Sequence, residues 1–107
     1  SATTLDTGTL EPGVYRVSYS ARVTTAATTS SSLTVTITWT DGNVTQTQAG
    51  AAMTGNTTAT QQNGTFLIHN GQNTLASNSV VKYATTYASS GGTSMVYALY
   101  VLVEKIA

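Results

Sequence analysis

The sequence predicts an all-β fold, an antiparallel β-sandwich of jelly-roll-like kind with about seven to eight short strands. Three observations carry that expectation. Apolar and polar residues alternate with period two over several segments, and no segment repeats its apolar residues at helical spacing. Turn-forming Gly, Asn and Asp pairs recur between the alternating runs. An immunoglobulin-like sandwich satisfies the same three observations, so the strand topology stays open between the two.

At 107 residues the chain has the size of one domain, large enough to close a hydrophobic core without metals or disulfides. Residues 1–12 read as an N-terminal arm or first strand and residues 13–107 as a single β-sandwich domain.

The first alternating run spans Val14 to Val23. Tyr15, Val17, Tyr19, Ala21 and Val23 share one parity, and Arg16, Ser18, Ser20 and Arg22 hold the other, which is the pattern of a half-buried strand. The Ala/Thr/Ser tract from Thr24 to Ser32 interrupts it. Leu33, Val35, Ile37 and Trp39 then alternate with Thr34, Thr36, Thr38 and Thr40 in the clearest strand of the chain. Threonine suits the outer face of that strand, because branched Cβ atoms pack on a pleated surface and hydroxyls pair across strands.

Asp41-Gly42 follows directly, a pair that tolerates positive φ, and predicts a hairpin into a partner strand from Val44 to Gln48. Ala49 to Asn56 reads as a long connection crossing between sheets. The next strand runs from Thr57 to Gln62 or on to His69, with Asn63-Gly64 as a candidate break. Asn70-Gly71-Gln72-Asn73 is a second turn signal. Val81, Tyr83, Thr85 and Tyr87 resume the alternation, and Ser89 to Ser94, with Gly91-Gly92, ends it.

The last strand, Met95 to Lys105, is apolar on both faces, with Met95, Tyr97, Leu99, Val101 and Val103 on one and Val96, Ala98, Tyr100 and Leu102 on the other. A strand apolar on both sides is normally covered on both sides. The cover is either a neighbouring subunit on Val96, Ala98, Tyr100 and Leu102, or a loop or the N-terminal segment Thr3 to Leu10 of the chain itself.

Composition narrows the partners. Only 7% of residues are charged, and four Lys/Arg balance four Asp/Glu. Duplex binding needs cations to neutralise several phosphates, so nucleic acid is not an expected partner. A surface with little charge also lacks the repulsion that keeps small proteins apart, which points to a homo-oligomer. No stretch approaches the ~20 apolar residues of a membrane span, so no membrane partner is expected. The chain has no cysteine and begins at Ser1. That start fits either a gene product trimmed of its initiator or a domain cut from a longer chain.

A search for chemistry finds little. The acids are Asp6, Glu11, Asp41 and Glu104, and none forms a recognisable catalytic pair. Asp41 reads as a turn former. His69 is the single histidine, so a histidine-rich metal site is excluded, and no Gly-x-Ser-x-Gly elbow is present. Neither an enzyme nor a cofactor is expected. Asn43-Val44-Thr45, Asn56-Thr57-Thr58 and Asn63-Gly64-Thr65 match the glycosylation sequon, a match that arises readily in a threonine-rich chain. Tyr15, Tyr19, Trp39, Tyr83, Tyr87 and Tyr97 all fall at inward parity, which leaves Tyr100 as the aromatic outlier.

With the strands placed, four framework segments stand out: Gly13 to Thr24 (GVYRVSYSARVT), Ser30 to Gly42 (SSSLTVTITWTDG), Met53 to Thr58 (MTGNTT) and Tyr83 to Tyr97 (YATTYASSGGTSMVY). They resemble small β-sandwich structural domains of tailed-bacteriophage virions. The resemblance implies a domain on the virion surface, in a fold that commonly forms trimers and either cements the capsid shell or ends a tail fibre. On that basis the first expectation is a non-enzymatic capsid decoration protein, homotrimeric and bound to the major capsid protein or another virion protein. Leu5 and Leu10 would anchor its N-terminal arm. The alternatives are a tail-fibre or spike domain that binds a host glycan through the loops at Gly50 to Asn56 and Ser89 to Ser94, and a bacterial adhesin or carbohydrate-binding module.

Overall fold

The computed structural model describes residues 2–4, 9–75 and 78–107, the first three as backbone. The seven strands among the described residues are all antiparallel: β1 (Ala2–Thr4), β2 (Gly13–Thr25), β3 (Ser30–Asp41), β4 (Val44–Ala49), β5 (Gln61–Asn70), β6 (Lys82–Ser90) and β7 (Val96–Lys105). β1 has three residues, and each of the other six has six or more. A four-stranded sheet in the order β1-β6-β3-β4 faces a three-stranded sheet in the order β5-β2-β7.

Period two decides which side chains meet between the sheets. Tyr15, Val17, Tyr19, Ala21 and Val23 from β2 close on Leu33, Val35, Ile37 and Trp39 from β3, with Ile68 of β5 beside them, and all are buried. Ala27, Met53, Val81 and Met95 from the connections complete this core. The opposite parity of β3 puts Thr34, Thr36, Thr38 and Thr40 on the outer face, in register with Thr86 of β6 and with Thr47 and Thr45 of β4.

Three details differ from the expectation. Asn63-Gly64 does not break β5, which runs unbroken past it. Gly64 is paired with Tyr19, and a Cβ there would collide with the Tyr19 ring, so the glycine serves close packing and not a turn. In the β3–β4 hairpin, Asp41 pairs with Val44, so the two central residues are Gly42 and Asn43, at φ 57° and 66°. Both positive values make the turn one residue later than the Asp-Gly pair suggests. Among the tyrosines expected in the core, Tyr87 is 42% exposed at the sheet margin, where its hydroxyl donates to the Met95 carbonyl (2.7 Å).

Asparagines tie the two ends of the sandwich. At one end Asn56 accepts from the Ala27 amide (2.8 Å) and the Ser31 hydroxyl (2.9 Å), and its amide group donates back to the Ala27 carbonyl (2.9 Å). At the other, Asn43 accepts from the Thr74 amide (2.9 Å), while Asn73 accepts from the Asn43 amide (2.7 Å) and donates to the Thr40 carbonyl (3.0 Å). Asp41 and His69 also meet there at 2.9 Å.

Candidate binding face

The outer face of the three-stranded sheet concentrates the unusual chemistry. Its middle strand, β2, presents small hydroxyl side chains at the centre, Ser18 and Ser20, and an arginine toward each end, Arg16 and Arg22. On one side β5 brings Asn63 opposite Ser20, Thr65 opposite Ser18 and Gln61 opposite Arg22. On the other, β7 brings Tyr100 opposite Ser20 and Leu102 opposite Ser18.

Short side chains between taller flanking ones make a trough. It is a shallow depression of ≈ 390 Å³, open to solvent, with backbone and serines as floor, amides and Thr65 along one bank, and Tyr100 and Leu102 along the other. No charged residue lines it. Arg16 bonds Glu104 on β7 (Nη2–Oε1 2.7 Å), which neutralises both charges beyond Leu102. Gln61 reaches toward Ser20 Oγ at 3.4 Å and Asn63 Oδ1 at 3.5 Å, both at the long limit for a hydrogen bond.

The strip expected as a subunit contact lies along this face. Val96 is 51%, Tyr100 67% and Leu102 60% exposed, and Ala98 is half-buried. Leu67 of β5, opposite Arg16, adds an exposed apolar side chain that the sequence reading did not single out. Its signal was present, since β5 alternates and Leu67 stands at outward parity, but the uncertain limits of that strand hid it.

The other expected sites fare differently. Of the N-terminal segment expected as an alternative cover, Ala2–Thr4 pairs with β6, in the sheet opposite Tyr100, and residues 5–8 lie outside the described residues. Leu10, expected to anchor onto a neighbour, packs partly buried against this chain's own core, and its amide donates to the Ser79 carbonyl (2.8 Å). Leu5 lies outside the described residues. The loops expected to bind a glycan are mostly exposed and are pinned to the fold at a few points. Met53 is buried and bridges Leu33 through two backbone hydrogen bonds, and Asn56 is held by Ala27 and Ser31. Thr28 and Thr93 likewise lock the turn after β6.

Among the described residues no group of three or more His, Asp or Glu side chains is placed to hold a metal ion. No family model, curated protein or solved structure matches the chain.

Proposed function

We propose that this chain is a non-enzymatic domain displayed on the surface of a bacteriophage particle, where it binds a host-surface glycan through the outer face of its three-stranded sheet. One observation carries the binding role: the trough sets the hydroxyls and amides of Ser18, Ser20, Gln61 and Asn63 against the exposed ring of Tyr100. Sugars present both hydroxyls and apolar C–H faces, and a site for them needs both kinds of partner. Of the roles the resemblance implies, a tail-fibre or spike domain uses such a trough directly. A glycan array probed with the labelled chain tests the role, and silence across the array overturns it.

The jelly-roll reading of the sandwich belongs to the same proposal. It is supported by nesting: the pairs β3/β4, β2/β5 and β1/β6 lie inside one another in sequence, and only the β3–β4 turn connects strands of the same sheet. A long hairpin wound over itself into two sheets has that order. The virion context is supported by the framework segments from Gly13 to Thr24 and from Ser30 to Gly42.

Val96, Tyr100, Leu102 and Leu67 favour a second reading, a capsid decoration protein that buries this face in a homotrimer or against the capsid shell. Light scattering tests whether copies of the chain cover this face: a trimer that dissociates when Tyr100 and Leu102 are changed together to serine supports its burial between subunits, and a monomer removes the homotrimer from this reading.

A further inference from the structure

Resting on the glycan reading, we infer that the trough takes a neutral pyranose whose apolar face stacks on Tyr100 and whose hydroxyls bond Asn63, Gln61, Ser18 and Ser20. Three features of the site select that class.

The first is the absence of charge. None of the side chains lining the trough is ionisable in the neutral range; on the same face Glu104 is paired with Arg16, and Arg22 stands outside the lining, across from Gln61. An anionic sugar seated in the trough would give up hydration of its carboxylate for no ion pair among the lining residues, and only a carboxylate reaching past Gln61 to Arg22 would offset that loss. A neutral sugar meets no such cost.

The second is the match of polar groups. A side-chain amide carries one acceptor and two donors in a plane, and a serine hydroxyl both donates and accepts, which together suit the adjacent hydroxyls of a sugar ring. Gln61 now holds Ser20 and Asn63 only at 3.4 and 3.5 Å, so little is lost when those groups turn to a ligand.

The third is Tyr100. Its ring is 67% exposed, on a strand fixed by pairing with β2, directly across from Ser20. An aromatic face is electron-rich and attracts the polarised axial C–H groups of a pyranose. The trough volume of ≈ 390 Å³ is that of a small-ligand site and suits a mono- or disaccharide.

The test titrates the full 107-residue chain with neutral disaccharides of glucose, galactose, mannose and N-acetylglucosamine. Parallel titrations use sialyllactose and a glucuronic acid disaccharide, and saturation-transfer NMR provides the readout. At least one neutral sugar is expected to bind, with an affinity that does not change between low and high salt, because no charge pairing contributes. Tyr100→Ala weakens it about tenfold, and Tyr100→Trp retains it. Asn63→Ala weakens it independently of the aromatic, and Thr36→Ala, on the opposite sheet, leaves it unchanged. Near-unchanged thermal unfolding of the Tyr100 and Asn63 variants shows that any loss is local. Binding of the acidic sugars alone, weakened by salt, overturns the neutral-sugar inference and leaves the glycan reading standing. Absence of all sugar binding, or binding indifferent to both Tyr100 and Asn63, overturns both.

Discussion

Single residues show where local preference yields to packing. Tyr19 is buried with its ring stacked on Phe66 at 5.9 Å, and it fits because Gly50 and Gly64 offer backbone where any other residue would put a Cβ. Gly64 is a poor strand former by propensity, and in isolation it signals a turn. Gly64→Ala is therefore expected to destabilise the fold by about 1–3 kcal/mol through displacement of the ring, read as a lower urea midpoint. An unchanged midpoint would mean that Tyr19 moves aside freely. Gly42 and Asn43 carry the tight turn at positive φ, and Asn43 additionally accepts from Thr74. Asn43→Gly keeps the backbone geometry and loses only the side-chain bonds, whereas Asn43→Ala loses both. The alanine variant should be less stable than the glycine variant by about 1–2 kcal/mol, measured by the same unfolding titration.

At the scale of strands, alternation is informative wherever a strand has one wet face and one dry face. β2 and β3 could be read from the sequence nearly to their ends, and their inward residues are the buried ones. β4 resisted reading by burial because it is an edge strand exposed along its whole length, and it was found through its turn. β7 was read as apolar on both faces, and of its outer residues Val96, Tyr100 and Leu102 are open to solvent in the single chain while Ala98 is half-buried. Because Tyr100 and Leu102 make few contacts that folding depends on, replacing either with serine should change stability by no more than about 0.5 kcal/mol. Calorimetry of the two variants checks this, and a large loss would mean that the strip supports the fold instead of serving a partner.

The whole molecule is assembled from strands distant in sequence: β2 pairs with β7, β3 with β6, and the hairpin β3–β4 is the one local pairing. Such a topology must close long loops before its pairings form, so refolding after denaturant dilution should take milliseconds to seconds, about the range of other all-β domains. Stopped-flow fluorescence of Trp39, which is buried between the sheets, reports it; a microsecond phase carrying the full amplitude would contradict that order of assembly. By itself the sequence determined the all-β class, the inward and outward faces of β2 and β3 and the β3–β4 turn, because strand periodicity is a local property of the backbone. Only the tertiary structure decided which strands share a sheet, that the N-terminal strand joins the sheet opposite Tyr100, and that Ser18, Ser20, Gln61, Asn63 and Tyr100 surround one trough. Those residues come from three strands far apart in the chain, and strand pairing is set by the summed burial of both sheets, which no local pattern encodes.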